Sequence, residues 1–169
     1  MDGAVTLMGV KYTTARAAAE QAVTLATAQL GHHAPPQTGT LALTGAMPSE
    51  VPCPVAGIDA EAWRHLQRLY GQQASGVASV ARGRPDLAAR LVPVLPIIGA
   101  QVIEAVRNEM AMTLEDVVLR RTGIGSAGYP GDDAVLRVET ILREELGWTS
   151  ARSADEVQTL KEFYLPAKV

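Results

Sequence analysis

A lysine two residues after a glycine, just ahead of a helix, is the most suggestive chemical arrangement in this chain. The segment Gly9-Val10-Lys11-Tyr12-Thr13-Thr14 follows the apolar run Ala4-Val5-Thr6-Leu7-Met8 and leads into an alanine-rich stretch. A strand that turns into a helix there would aim backbone N–H groups and the positive helix end at one point, with the Lys11 ammonium beside it. Such a point suits an anion. The bland alternative is an ordinarily capped helix. A second pattern, Gly123-Ile124-Gly125-Ser126-Ala127-Gly128, spells the glycine spacing of a dinucleotide-binding turn. That fingerprint requires a preceding strand, a helix opening inside the motif and an acidic residue about 20 positions later. Here a helical segment precedes it and Tyr129-Pro130 follows, so a plain interhelical loop is expected.

Other chemistry-bearing side chains are scattered. His32, His33 and His65 have no Cys, Asp or Glu neighbours at metal-ligand spacing, so no metal site is expected and the histidines read as solvent-exposed. Cys53 is the single cysteine and reads as a buried thiol. Asp116 and Arg120 are an i,i+4 pair, whereas Glu115 and Arg120 are poorly aligned. With Glu104, Arg107, Glu109 and Arg121 they crowd charge onto the most apolar helical region of the chain. Packing against another domain and simple solvation both explain such crowding. On the first reading Asp116 and Arg120 form a structural ion pair.

The elements that must position these groups are mostly helical. In 169 residues, 47% are hydrophobic, enough for one core, and the formal charge of −3 gives no global attraction to nucleic acid. A lone cysteine and no secretory signal point to a reducing compartment. Ala4–Met8 reads as a short strand, Thr13 and Thr14 as N-caps, and 15–30 as a helix closed by Gly31. Prolines between His32 and Gly57 make a long connector, with a brief strand at Thr40–Thr44. Asp59 caps a helix with Ala62, Leu66 and Leu69 on one face, stopped by Gly71. A short helix over Gln72–Val80 and a turn from Asp86 follow. Between Ile97 and Arg121 the periodicity places Val106, Met110, Leu114 and Val117 on a core face, with a bend near Met112-Thr113 where Thr113 and Asp116 fit a capping pair. Asp132 or Asp133 caps a helix to Leu146, and Ser153 caps a last one stopped by Pro166.

Two stretches narrow this further. Lys11-Tyr12-Thr13-Thr14-Ala15-Arg16 followed by Ala18-Ala19-Glu20 resembles the segment that closes the FAD domain of FAD-dependent glycerol-3-phosphate dehydrogenases. Glu109-Met110-Ala111-Met112-Thr113-Leu114-Glu115-Asp116-Val117-Val118-Leu119-Arg120-Arg121-Thr122 is similar to the signature of that family's helical C-terminal domain. Leu69-Tyr70-Gly71 and Glu145-Leu146-Gly147-Trp148 fit the same domain, so the resemblance covers nearly the whole chain. It implies a mainly α fold, a multi-helix orthogonal bundle with a short N-terminal strand-turn-helix remnant of the FAD domain. Residues 1–31 would be that remnant, 32–57 a connector and 58–169 the helical C-terminal domain.

The resemblance also implies an activity for a longer parent: glycerol 3-phosphate oxidised to dihydroxyacetone phosphate, with electrons passing through FAD to a quinone at the cytoplasmic face of a membrane. Lys11 would be its catalytic contribution here, and Gly9, Lys11, Thr13 and Thr14 its FAD-binding one. The partner would be an N-terminal FAD domain, and this chain alone would neither hold FAD nor catalyse. One departure stands out: Val10 replaces a second glycine of the family segment. The competing expectation is a stand-alone helical interaction module that has lost the chemistry.

Overall fold

The computed structural model describes residues 3–9, 11–33, 35–43 and 51–165. The chain divides into two compact units, Met1–Leu43 and Thr44–Val169. Among the described residues seven α-helices, short 3-10 turns and one π-helix account for the regular structure, so the mainly α expectation holds.

The first unit consists of a 3-10 turn, Tyr12–Thr14, running into α1, Ala15–Gln29. Alanine needs little side-chain ordering to join a helix, which favours this run. Its end is closed by Gly31 at φ 74°: Gly31 N–H donates to Ala28 and His32 N–H to Thr27, satisfying two of the last carbonyls. Arg16 and Glu20 pair along α1 at 2.6 Å, and Thr38 donates to the same Glu20 carboxylate at 2.5 Å, fastening the Gln37–Leu41 turn to the helix. No residue of α1 is buried. The expected strand at Ala4–Met8 does not form. A strand exists only with a neighbour to bond, and none of the described residues pairs with it. Thr40–Leu43 likewise is turn and bend, and Thr44 lies outside the described residues.

The second unit contains the core. α2, Ala60–Tyr70, starts at Asp59, whose carboxylate accepts from the N–H groups of Glu61 and Ala62. Its buried face is Ala62, Trp63, Leu66 and Tyr70. Leu69, expected on that face, falls at its edge and is exposed, because the face leans toward Trp63. α3, Ala74–Ser79, and the single turn α4, Pro85–Ala88, follow. The proline-interrupted apolar run then folds back on itself: Leu91 N–H donates to Ile97 and Gly99 N–H to Ala89, a lone antiparallel bridge.

α5, Ala100–Glu109, packs against α3, the π-helix Asp116–Arg121 and α6, Asp132–Leu146, which in turn meets α7, Ser150–Phe163. Val102, Leu114, Val117, Val118, Val138, Leu142 and Leu160 are sealed between them. Two cap assignments change. Gly131 at φ 94° precedes α6, which places Asp132 and Asp133 inside its first turn, and Thr149 rather than Ser153 caps α7 by accepting from Arg152 N–H. Ser153 is buried one turn further on. Pro166 lies outside the described residues.

Glycine substitutions test this packing. A Cβ on Gly99 would come within 2.9 Å of Leu87 Cα and 3.2 Å of Ile141 Cδ1, whereas one on Gly76, exposed in α3, would meet nothing within 4 Å. Gly99→Ala is expected to destabilise by about 1–3 kcal/mol through overpacking. Gly76→Ala is expected to stabilise by about 0.5–1 kcal/mol through helix propensity. Denaturant midpoints that move the same way in both variants would contradict this packing.

Candidate functional site

The chemistry-bearing residues fall in two places, one in each unit. In the first unit, Gly9 sits at φ 148°, a conformation that side chains rarely allow, although a Cβ there would meet nothing. The backbone angle, not crowding, requires the glycine. Lys11 is extended and leads the 3-10 turn, and both the N–H and the hydroxyl of Thr14 donate to its carbonyl, at 3.1 and 3.2 Å. Thr13 and Thr14 were expected as N-caps. Neither helix start has a side-chain capping bond: Lys11 carries no acceptor, and the Thr14 hydroxyl turns back to donate to the Lys11 carbonyl.

The first N–H groups of any helix are left without helical partners, and no acidic residue in the first turn of either helix neutralises this end. A cleft of about 410 Å³ opens beside it, lined by Leu7, Met8, Gly9, Lys11, Tyr12, Thr14, Ala15, Ala18 and Ala19. The structure therefore brings Gly9, Lys11 and Thr14 to one wall, and Thr13 is not on it. The apolar part of the wall escaped the sequence reading. Its trace was the alanine repeat at 15, 18 and 19, which leaves the start of α1 without side-chain bulk.

Chemically, this is one wall of a site. It offers a mostly apolar surface with a cation and helix N–H groups at its end. A planar ring that gathers negative charge at one edge, as a flavin does on reduction, fits that description, as does a phosphate-bearing substrate. Val10, where the family segment carries glycine, lies outside the described residues.

In the second unit, α5 stops at Glu109 because Met110 adopts a left-handed conformation, φ 60° and ψ 30°; it is the one non-glycine residue with positive φ among those described. This turns the Met110 side chain outward to 84% exposure, so Met110 leaves the core face on which its spacing had placed it. Ala111, fully buried, returns the chain to the core, its N–H donating to Ala105. Thr113 and Asp116 then form the reciprocal cap expected of them: Asp116 accepts from the N–H groups of Met112 and Thr113 at 3.0 and 3.1 Å, and Thr113 Oγ1 accepts from Asp116 N–H at 3.1 Å.

Arg120 reaches back to Asp116 at 2.8 Å and only loosely to Glu115 at 3.5 Å. The Asp116 side chain is 25% exposed and that of Arg120 is 56% exposed, so the pair sits at the rim of the core. Nearby charges are also engaged: Arg107 forks onto Glu145, and Asn108 donates to Glu104 at 2.9 Å. Burial pushes the Glu109 carboxyl above its ordinary value, against the pull of Arg121. Asn108, Glu109, Met110, Arg120 and Arg121 together line a second cleft of about 450 Å³.

The remaining candidates stay structural. Gly125 of the glycine loop faces Tyr164, whose hydroxyl would lie 2.1 Å from an added Cβ, so a side chain and not a phosphate fills that space. His32 and His33 are exposed, but His65 is half-buried, and desolvation, helped by Arg68, lowers its pKa. Cys53 is only partly buried, with its thiol donating to the Val55 carbonyl. No group of three or more metal-ligating side chains occurs among the described residues.

Asp116 is the pivot of the elbow. Burial alone would raise its pKa, but hydrogen bonds from Met112, Thr113 and Arg120 outweigh it and hold the carboxyl below its usual value. A carboxyl lowered on folding stabilises fully above its unfolded pKa of about 3.9, and that contribution disappears as pH falls through the folded value. Asp116→Ala is expected to cost about 1–2 kcal/mol at neutral pH, as loss of a cap, and to flatten the acid limb of stability below about pH 4. Arg120→Ala should cost only about 0–1 kcal/mol, since its end is solvated. Equal losses from both substitutions in urea titrations would show that the ion pair, rather than the cap, carries the elbow.

Comparison with known proteins gives the family of this chain. A family model described as the C-terminal domain of alpha-glycerophosphate oxidase matches residues 5–153. A glycerol-3-phosphate dehydrogenase of Synechocystis sp. is 33% identical over 94% of this chain and 30% of its own length. The mitochondrial glycerol-3-phosphate dehydrogenase of Mus musculus is 30% identical over 95% of this chain and 24% of its own length. The chain thus spans about a quarter to a third of the length of these relatives. No solved structure matches it. With the family model covering both the Lys11 segment and the Met110–Arg121 elbow, the chain belongs to the family of the C-terminal domain of alpha-glycerophosphate oxidase and is homologous to the glycerol-3-phosphate dehydrogenases.

Proposed function

We propose that this chain serves as the C-terminal part of an FAD-dependent glycerol-3-phosphate dehydrogenase, whose longer parent converts glycerol 3-phosphate to dihydroxyacetone phosphate. In this reading residues 1–31 complete the FAD domain, 32–57 connect, and 58–169 form a helical domain beside it. The observation that carries it is the contrast between a family match that begins at residue 5 and a first unit in which no described residue is buried. Such a unit lacks a core of its own, as the end of a larger domain would.

When bound in the parent, FAD would supply the acceptor for the hydride taken from the substrate, and on this reading a quinone would receive the electrons. This chain's part is electrostatic. Lys11 and the positive end of the Tyr12–Thr14 turn face the cleft, where they would hold negative charge on the flavin edge or on the substrate phosphate. The apolar wall of Leu7, Met8 and Ala15 would exclude water from that edge and so strengthen the attraction. Gly9 lets the backbone turn beside it, and Thr14 ties its hydroxyl to the Lys11 carbonyl.

The contacts that anchor the adenosine and pyrophosphate of a dinucleotide belong to a nucleotide-binding half outside this chain, so FAD would be retained only when that half is supplied. No described helix is long and apolar enough to cross a membrane. The parent's place, on this reading, is the cytoplasm or the inner face of a membrane, held there peripherally.

The chain purified alone should be colourless after desalting and should not reduce a dye on addition of glycerol 3-phosphate. In a full-length parent, Lys11→Met should slow flavin reduction by roughly 10²-fold, the scale of losing one charge-stabilising donor. A flavin band that survives desalting of the isolated chain, or unchanged reduction in the variant, would refute the respective half of this reading. A parent that lacks a nucleotide-binding half would instead favour a stand-alone interaction module.

A further inference from the structure

A π-helix is rare and poorly bonded compared with the α-helix that the same residues could form, so something outside it must hold the wider turn. Asp116–Arg121 reads Asp-Val-Val-Leu-Arg-Arg, with no proline or glycine to forbid the α register. Its end is marked by Thr122, whose N–H and hydroxyl both donate to the Val117 carbonyl, at 2.9 and 2.6 Å, one residue further back than an α-helix would reach.

Both flanks of this segment are gripped from α7 and from Tyr164, the residue that closes it. Ahead of it, the buried N–H of Leu114 donates to Glu156 Oε2 at 2.8 Å across 42 residues of sequence. Glu156 is itself only 7% exposed and is paired with Arg152 on the same helix. Behind it, the Tyr164 hydroxyl donates to the Gly125 carbonyl at 2.7 Å, and Gly125 N–H donates to Val118 at 3.0 Å. Gly125 has no room for a Cβ, which would meet the Tyr164 oxygen and Val118 Cγ1 at 2.1 and 2.6 Å. Leu160 of α7, fully buried between Glu156 and Tyr164 in sequence, and the Lys161–Asp132 ion pair at 2.8 Å keep the helix seated.

We propose that Glu156 and Tyr164 are positioning residues that fix the register of the Arg120–Arg121 pair. By pinning Leu114 and Gly125, α7 sets a span that the intervening chain fills by taking up one extra residue in a wide turn. Without the grip the segment relaxes to the α register. A shift of one residue turns the following side chains by about 100° about the helix axis, which carries Arg120 and Arg121 away from the cleft they share with Asn108, Glu109 and Met110. Neither Glu156 nor Tyr164 lies within the stretch matched by the family model, which ends at residue 153. The inference stands independently of the flavin reading, because it concerns only contacts inside the second unit.

The test uses the full 169-residue chain and couplings transmitted through hydrogen bonds in its NMR spectrum. Wild type should show a coupling between the Thr122 nitrogen and the Val117 carbonyl carbon. In Glu156→Leu and in Tyr164→Phe that coupling should pass to Val118. Exchange of the Leu114 amide in Glu156→Leu should quicken about tenfold or more, as expected for losing a hydrogen bond to a charged acceptor. Glu156→Gln, which keeps an acceptor oxygen, should restore the wild-type pattern, and Gly125→Ala, which displaces the Tyr164 hydroxyl, should imitate Tyr164→Phe. If Glu156→Leu fails to fold, Tyr164→Phe decides alone, since it removes only a partly exposed hydroxyl. A folded Tyr164→Phe that keeps the Thr122–Val117 coupling at full strength would overturn the proposal and leave the Thr113–Asp116 cap as the sole support of the turn.

Discussion

Among the described residues apolar burial begins at Val55 and ends at Leu160, and everything else about the molecule depends on that boundary. Residues inside it have a core to hold them in place. Residues 3–43 do not, although they carry Leu7, Met8, Tyr12, Val23, Leu25 and Leu30, all exposed. Isolated helices shorter than about 12–15 residues are marginal in water even when rich in alanine, and α1 has fifteen. Its exposed Arg16–Glu20 pair is the kind of contact worth only tenths of a kcal/mol. On the proposed reading a segment built this way would gain its stability from apolar surface supplied elsewhere, and its family match and its lack of a core would have one explanation.

Inside the boundary the physics is different, because there is enough burial to support strain. Met110 in a left-handed conformation and the π-turn after Asp116 both carry a cost, and they lie within one elbow between α5 and the glycine loop. The cost is offset by hydrogen bonds that are individually ordinary: Asp116 to two backbone N–H groups, Thr113 to a third and Glu156 to a fourth. Backbone strain is retained in a fold only where its surroundings over-determine it. Here the surroundings are the buried residues Ala111, Leu114, Val117 and Val118, which leave Arg120 and Arg121 as the outward-facing product of the elbow.

Much of this was legible in the sequence wherever the determinant was local. Asp59 as a cap, Gly31 as a left-handed closure and the reciprocal Thr113–Asp116 pair all follow from residues within a few positions of each other. What escaped was set by distant partners. The strand at Ala4–Met8 has apolar residues but no neighbour to pair with, and periodicity cannot supply one. Met110 has the spacing of a core residue, yet the chain turns beneath it. Ser153 looks like a cap, but Thr149 four residues earlier takes that role and leaves Ser153 in the interior. At the candidate site, Gly9, Lys11 and Thr14 came from motif chemistry, whereas Thr38 reaching Glu20 across eighteen residues left no trace in the local pattern.

On the proposed reading residues 3–43 depend for their order on a surface that the parent supplies, and residue-resolved amide hydrogen exchange of the chain alone tests it most directly. The account predicts that amides along α1, from Val23 to Gln29, exchange within about tenfold of coil rates, while those of Val102 and Val138 are slowed by orders of magnitude toward the limit set by global unfolding. Protection of α1 equal to that of α5 and α6 would contradict it, because the first unit would then be stabilised without any partner.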